Sequence, residues 1–371
     1  MDISIVHIGP QAAQALPALP DGLPDGGFLW VALAPAVLQA QEGTLQDWLA
    51  RVAGGPLLEL HLKDLLNPLL PSQHGETAAY DLLVFRRLTQ PPAGWDAMSA
   101  PTGPTPVTAA GTEAAALTPV DTQAVGFAVF DRVVLSVHPA GCSLLEGQRQ
   151  KLLQAPPVGR DPASRLPSEP ADLMLRLLNT MVDGYLDLRR VLTRDMDRWQ
   201  TALLSPRAAP DDWQPLLRSR LVLHQLDELC EGQRAAIQDW IEAIKTWRLP
   251  DSPAGRVARE QLLVRSQDVR EHVERVIHHI DRLERSAETA VQLHFSLQSN
   301  RTNDSMRTLT ALTAVFLPLN LVTGFFGMNF EFLPLIHNSH GLWWALLAMA
   351  VMATVLGTVL WRRRGLARRR R

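Results

Sequence analysis

Two apolar segments near the C-terminus constrain this sequence more than any other feature. The first, residues 309–326, has 18 residues and no charged side chain; the second, residues 342–361, has 20 residues and no charge. A helix of 18 residues is about 27 Å long, which is close to the thickness of a bilayer core. Tryptophans stand at both ends of the second segment, as is typical of membrane interfaces. The sequence therefore predicts transmembrane helices over 309–327 and 342–361.

The distribution of arginine predicts how these helices cross the membrane. Residues 328–341 contain no Lys or Arg, whereas Arg301 and Arg307 precede the first helix and seven arginines occur in 362–371. Basic residues that flank short spans remain on the cytoplasmic side. We therefore expect an external loop over 328–341, a basic tail over 362–371, and both termini in the cytoplasm. The chain would be a multi-pass protein of the inner (plasma) membrane, embedded in the lipid bilayer.

The charge balance and the cysteines exclude several other classes of protein. The formal net charge of −2 includes the seven arginines of 362–371, which leaves −9 for residues 1–361. An acidic body argues against nucleic acid as a partner, because phosphate binding needs clustered Lys and Arg. Cys142 and Cys230 lie far apart, so neither a disulfide framework nor a thiolate metal site is predicted. The N-terminal residues do not show a basic start followed by an apolar run, so no signal peptide is predicted.

A long helix is predicted directly before the first span. No Gly or Pro occurs between Gly255 and Pro318, and apolar residues recur three and four positions apart. Such a heptad repeat predicts a stalk helix over 256–308 that packs against other helices. The repeat consists of Val269, Val273, Val276, Ile280, Leu283, Ala287 and Ala290, followed by His294 and Leu297.

The upstream residues indicate an α+β fold. Residues 1–155 form a predicted N-terminal αβ cytoplasmic domain, and residues 156–255 a cytoplasmic helical region with helices at 172–204 and 216–247. Runs rich in Val, Leu and Phe predict four strands, at Phe28–Leu33, Asp81–Leu88, 124–130 and 133–138. Short helices are predicted at 45–53 and 57–66. No nucleophile elbow, P-loop, dinucleotide-binding or zinc-protease motif occurs, so no enzyme activity and no catalytic residue are predicted.

Polar and small residues in and before the first span recur three or four positions apart. Residues at this spacing share one face of a helix. They are Asn303, Met306, Thr310, Thr313, Leu317, Asn320, Gly324 and Gly327. Two interpretations fit: a packing stripe at which Thr and Gly let helices approach closely, or a pore-lining face built from several copies of this helix.

The same region resembles the CorA family of divalent metal ion (magnesium/cobalt) transporters. The resemblance rests on Gly327-Met328-Asn329, placed after Phe-Leu-Pro at 316–318 and before Phe-Glu-Phe-Leu-Pro at 330–334. Residues 303–306 add to it, and segments 61–68, 80–86 and 133–138 of the soluble part are similar to family segments in the same order. The Gly-Met-Asn triplet is the family signature when it ends the penultimate span.

This resemblance implies a homopentamer shaped as a funnel, in which five first spans line one pore and five second spans surround them. Gly327, Met328 and Asn329 would form the selectivity entrance. Further pore-lining positions would be Asn303, Met306, Leu309, Thr313, Leu317, Asn320 and Gly324. Of these, Asn303 and Asn320 would form polar rings, and Met306, Leu309 and Leu317 an apolar gate. Cytosolic metal would control opening.

The transported ion would be Mg2+, with Co2+ and Ni2+ as further candidates, and no cofactor is implied. Glu331, in the external loop, would attract cations, and His337 and His340 are further candidates for this role. The chain departs from the family at Gln292 and Leu335, which are acidic in some members. His337 and His340 stand in the loop instead, and histidine suits Zn2+, Co2+ or Ni2+ better than Mg2+. Because residues 321–327 also resemble the ZntB branch, a Zn2+ transporter of the same architecture is the alternative.

Overall fold

The computed structural model describes residues 3–89, 121–154, 166–203, 214–247, 252–328 and 341–368. The strands are β1 (Ile3–Ile8), β2 (Ala13–Leu16), β3 (Phe28–Leu33), β4 (Gln73–Glu76), β5 (Asp81–Leu88), β6 (Thr122–Val129) and β7 (Val133–Val137). The helices are α1 (Pro35–Ala40), α2 (Glu42–Val52), α3 (Glu59–Leu66), α4 (Ser143–Gln154), α5 (Pro170–Leu203), α6 (Gln214–Thr246), α7 (Pro253–Phe326) and α8 (Gly341–Arg368). The chain divides into two compact units, Met1–Ala290 and Val291–Arg371.

The strands form one mixed sheet in the order β2-β1-β3-β7-β6-β5-β4. β3 and β7 pair in parallel, with Trp30 opposite Val134, and the other neighbouring pairs are antiparallel. The predicted strands at Phe28–Leu33 and Asp81–Leu88 are β3 and β5, and β6 and β7 lie within two residues of the other two predictions. The predicted α+β class is therefore confirmed. The predicted boundary at residue 155 lies outside the described residues.

Helices α1–α3 cover one face of the sheet. Alternate residues of β3 point to this face, because successive side chains of a strand lie on opposite sides. These residues, Leu29, Val31 and Leu33, join Trp48 and Leu49 of α2 in one buried cluster. The indole Nε1 of Trp48 also donates a hydrogen bond to the Pro20 carbonyl, at 2.8 Å.

Helices α5 and α6 pack on the opposite face and are joined to the same point of the sheet. The Tyr185 hydroxyl of α5 and the Gln233 Nε2 of α6 both donate to the Arg86 carbonyl of β5, at 3.1 and 2.7 Å. On this face the Trp30 indole also donates to the Ser136 hydroxyl, at 2.8 Å. Because a buried polar group is costly without a partner, these bonds fix where the helices meet the sheet.

The first part of α7 packs beside α5 and α6. Gln200 of α5 donates to the Ser286 hydroxyl at 2.7 Å, and the Trp240 indole of α6 donates to Ser266 at 3.1 Å. Arg259 donates to the carbonyls of Ile244 and Lys245, which belong to the last turn of α6. A cation at this end of a helix interacts favourably with the helix dipole. The predicted heptad repeat is buried from Val269 to His294, and Leu297 is half-buried.

The second unit contains the end of α7 and all of α8. Within the described residues, α7 contains one segment that is long and apolar enough to cross a membrane, and α8 contains a shorter apolar stretch, Leu346–Val359. Proline has no N–H to continue a helical ladder, yet Pro318 lies inside α7, which continues to Phe326. Most of the predicted external loop, residues 329–340, lies outside the described residues.

Candidate functional site

The spanning segment of α7, residues 309–326, has two different faces. Its half-buried side chains recur three or four positions apart and therefore lie on one side of the helix. They are Ala311, Val315, Pro318, Leu319 and Val322. An α-helix turns by about 100° per residue, so the predicted polar stripe around Thr313 and Leu317 lies on the opposite side. The stripe therefore lies within the wider surface of α7 that its own chain leaves uncovered, which also includes Leu312, Phe316 and Leu321.

The structure brings the predicted pore-lining residues together on this face. All of them are exposed, and Met306, Leu309 and Leu317 have 60% or more of their surface accessible. The full set is Asn303, Met306, Leu309, Thr313, Leu317, Asn320 and Gly324. Exposed leucines and a methionine, set between asparagine and threonine, are unusual on the surface of a soluble protein. The face thus combines neutral hydrogen-bonding groups with apolar ones and carries no charge between residues 308 and 326.

The threonine hydroxyls of the spanning segment share one hydrogen-bonding arrangement that residue spacing could not predict. Thr310 donates to the Met306 carbonyl at 2.8 Å, and Thr313 donates to the Leu309 carbonyl at 2.9 Å. A hydroxyl has one proton and two lone pairs, so each of these oxygens is left as an acceptor. The signal available in the sequence is the position of threonine inside a helix, where bonding to the preceding turn is common.

The glycine after α7 lets the helix end tightly. The Gly327 N–H donates to the Thr323 carbonyl at 2.9 Å, and the Met328 N–H donates to the Phe325 carbonyl at 3.3 Å. A Cβ atom at residue 327 would lie 3.0 Å from the Thr323 oxygen, so a larger residue would have to shift the last turn. Gly327 and Met328 therefore continue directly from the exposed face.

Four predicted site residues cannot be placed on this geometry. Asn329, Glu331, His337 and His340 lie in 329–340, outside the described residues. Their proposed roles remain predictions from the sequence.

Comparison with known proteins identifies the family. Residues 112–364, more than half of the chain, match the family described as CorA-like Mg2+ transporter protein. The chain belongs to the CorA family. The matched range contains the exposed stripe of α7 and the Gly-Met-Asn triplet, so the candidate site lies within the part of the chain that defines membership.

Individual relatives agree with this assignment to the CorA family. YfjQ of Bacillus subtilis (strain 168), named as a metal ion transporter, is 41% identical over 68 residues, which are 18% of this chain and 21% of that protein. The cobalt/magnesium transport protein CorA of Thermotoga maritima is 23% identical over 184 residues, 50% of this chain and 49% of that one. The chain thus spans about half, or less, of the length of these curated relatives.

A solved CorA structure shows the same fold. The complete structure of the CorA magnesium transporter from Methanocaldococcus jannaschii superposes with a TM-score of 0.69 at 16% identity, and the match covers 97% of each chain. At this identity the likeness establishes the fold alone. The sheet, the helical layer, α7 and α8 described above are thus the fold of a CorA protein.

The described residues of this CorA-family chain include acidic side chains but no complete metal centre. No group of three or more His, Cys, Asp or Glu side chains there is arranged to hold a metal ion. Burial, followed by repulsion from Asp281 and Glu231, raises the pKa of Asp227. Cys230 is buried next to it, and burial raises the pKa of this thiol to about 12. A thiol with such a pKa is protonated at neutral pH.

Proposed function

We propose that this chain is a CorA-type membrane channel or transporter for divalent cations, with Mg2+ as the main ion and Co2+ and Ni2+ as further candidates. One observation carries the proposal: the stripe of Asn, Thr, Met and Leu is exposed on the side of α7 opposite its half-buried residues and leads directly to Gly327-Met328. Polar groups within a bilayer normally face protein or water. A face of this kind on a spanning helix is suited to line an aqueous path.

A single helix cannot enclose such a path, so the proposal requires several copies of the chain. We propose a homopentamer in which the stripes of five α7 helices face a common axis and the α8 helices lie toward lipid. The exposed apolar side chains of α8, including Trp343, Leu347 and Val351, are suited to that environment. The arginines on both cytoplasmic flanks would place both termini in the cytoplasm of a cell with this protein in its inner membrane.

The entrance would be formed by Gly327, Met328 and Asn329 of each copy. Mg2+ releases its water ligands reluctantly. The carboxamide oxygens of Asn329 would accept hydrogen bonds from the waters of a hydrated ion, so the ion would be selected without being stripped of water. Asn320 and Asn303 would repeat the same contact deeper in the path. Glu331 in the external loop would raise the local concentration of cations through its negative charge.

The gate would be the apolar part of the stripe. Met306, Leu309 and Leu317 offer no hydrogen bonds to water, and a narrow apolar constriction can close to ions by losing its water. We propose that Mg2+ bound between carboxylates of neighbouring subunits in the cytoplasmic region holds this constriction closed. No chemical step is involved, so no catalytic residue is assigned, and the divalent ion is cargo rather than a cofactor.

Ion flux through the purified protein tests the proposal. Wild type and Asn329→Ala would be reconstituted in liposomes that contain Mg2+- or Zn2+-sensitive dyes. We expect Mg2+ influx in wild type and its loss in Asn329→Ala, with both proteins equally folded by circular dichroism. If Mg2+ influx is unchanged in Asn329→Ala, the proposed role of Asn329 in the entrance is rejected.

The histidines of the external loop are the reason for the Zn2+ measurement. Zn2+ influx without Mg2+ influx would support the ZntB-like alternative and make His337 and His340 the residues to replace next, since imidazole nitrogen is a common Zn2+ ligand. No influx of either ion would reject transport by the purified chain.

A further inference from the structure

Thr313 interrupts the apolar part of the proposed gate. It lies four residues after Leu309 and four residues before Leu317, and all three side chains are exposed on the same face of α7. With a rise of about 1.5 Å per residue, the Thr313 side chain lies roughly 6 Å along the helix from each leucine. A gate built from these three positions would therefore have a polar ring between two apolar rings.

The hydroxyl of Thr313 acts as a hydrogen-bond acceptor toward the stripe. Its proton is committed to the Leu309 carbonyl, at 2.9 Å, so the oxygen faces the stripe with lone pairs only. Waters that coordinate a cation direct their hydrogen atoms outward, away from the ion. A hydroxyl that already donates its proton can accept a hydrogen bond from those waters, but it has no proton left to donate to an anion.

We propose that Thr313 keeps the apolar gate hydrated and thereby controls how easily a hydrated divalent cation crosses it; this inference rests on the proposed function. In a narrow apolar constriction, water leaves because it cannot keep its hydrogen bonds. A ring of acceptors midway between Leu309 and Leu317 holds water at that level. It divides one long apolar barrier into two short ones.

The chain offers a matched control on the other side of the helix. The Thr308 hydroxyl donates to the Asp304 carbonyl at 2.8 Å, in the same manner as Thr313, and residue 308 is also exposed. Five residues of helix separate the two positions, which turns them by roughly 140° relative to each other. Thr→Val at either site removes one hydroxyl, keeps the shape of the side chain and breaks the same kind of backbone contact.

The test measures Mg2+ influx into liposomes that contain the full-length protein with Thr313→Val, Thr313→Ser or Thr308→Val. We expect Thr313→Val to lower influx by roughly two- to tenfold, the factor that corresponds to one neutral hydrogen bond. Thr313→Ser retains the hydroxyl and should stay within about twofold of wild type, and Thr308→Val should be unchanged. Leu317→Thr adds a second acceptor and should raise influx, which keeps the inference testable should Thr313→Val fold poorly.

Specific outcomes overturn the inference. Equal influx in wild type and Thr313→Val, with Asn329→Ala inactive in the same assay, would reject the role of Thr313 and leave the proposed transport intact. Equal losses of influx in Thr313→Val and Thr308→Val would show that influx depends on the hydrogen bond to the backbone and not on the position of the hydroxyl on the stripe, which would reject the inference. No influx in wild type would reject both the inference and the proposed function.

Discussion

Helix α5 and the spanning segment of α7 contain similar apolar side chains in opposite surroundings. In α5, Leu173 and Leu177 have none of their surface exposed, whereas Leu312 and Leu317 of α7 are 56% and 65% exposed. The first unit covers its apolar surface with its own sheet and helices. The second leaves that surface open, and the proposed function assigns lipid and further copies of the chain to cover it. Apolar content alone therefore does not tell where a helix lies; the other elements of the same chain decide.

The largest expected effect is on stability, and it separates the two regions directly. Leu177→Ala should leave a cavity in the core beside α5 and lower the free energy of unfolding by about 2–5 kcal/mol. The equivalent change Leu312→Ala is made at a side chain that its own chain leaves 56% exposed and that lies outside the stripe. Detergent covers this position in the solubilised protein, so stability should be nearly unchanged. Thermal unfolding of the full-length protein in detergent, followed by tryptophan fluorescence to which the buried Trp30 and Trp240 contribute, measures both.

Similar losses from both changes would break the comparison. They would mean that Leu312 is buried in the detergent-solubilised protein, for example by another copy of the chain. Cross-linking of the two variants at equal concentration would then show whether Leu312→Ala reduces association.

A smaller effect is expected on transport, and it sharpens the contrast between the two faces of α7. Asn320→Leu keeps the size of the side chain but removes a polar group from the stripe, and we expect Mg2+ influx to fall roughly tenfold, or about 1.4 kcal/mol. Val322→Ile adds a methylene group to the half-buried face and should leave influx close to wild type. Dye-loaded liposomes measure both variants, with stability checked in parallel.

The result also decides between the two interpretations of the stripe. If Asn320→Leu conducts as wild type but dissociates or melts more easily, the stripe is a helix-packing surface rather than a pore face.

Features that depend on the residues of a single helix or strand could be predicted from the sequence. β3 and β5 begin and end at the predicted residues. β3 is a continuous apolar run and β5 contains the apolar run Leu82–Phe85, as is typical of buried strands. The heptad repeat of α7 predicted its buried side from Val269 onward because period and burial are linked by helix geometry. The α+β class followed from the order of these elements.

Strands that form only by pairing with a segment far away in the sequence could not be predicted. β1 and β2 were not predicted, since β1 is short and is followed by Pro10 and β2 is exposed along much of its length; they form because β1 pairs with β3. β4 contains Gly75 and no apolar residue, and it is a strand only because β5 lies beside it. In the candidate site, spacing predicted which residues share a face, but not the direction of the Thr313 hydroxyl, which depends on its hydrogen bond to the Leu309 carbonyl.

The smallest expected effect concerns pH and the contact where α7 meets α5. His279 Nδ1 accepts a hydrogen bond from Arg282 at 3.2 Å, and its Nε2 donates to the Thr193 hydroxyl at 2.9 Å. Thr193 in turn donates to the Arg189 carbonyl at 2.8 Å. This chain of bonds requires a neutral imidazole. Burial, and then the positive charges of Arg189 and Arg282, lower the pKa of His279 to about 4.

Acid should therefore weaken this contact. Between about pH 6.5, where an unfolded histidine titrates, and pH 4, the unfolded chain binds a proton that folded His279 does not. Stability contributed by neutral His279 is complete above this range and is lost as the pH falls through it. His279→Gln can keep both hydrogen bonds but cannot titrate, so its melting temperature should fall less between pH 7 and pH 5 than that of wild type. His278→Gln, at the exposed neighbouring position, should follow wild type. Parallel curves for all three proteins would show that His279 is protonated as easily in the folded chain as in the unfolded one, and the α5–α7 contact would then be open to solvent in the same way as the spanning segment.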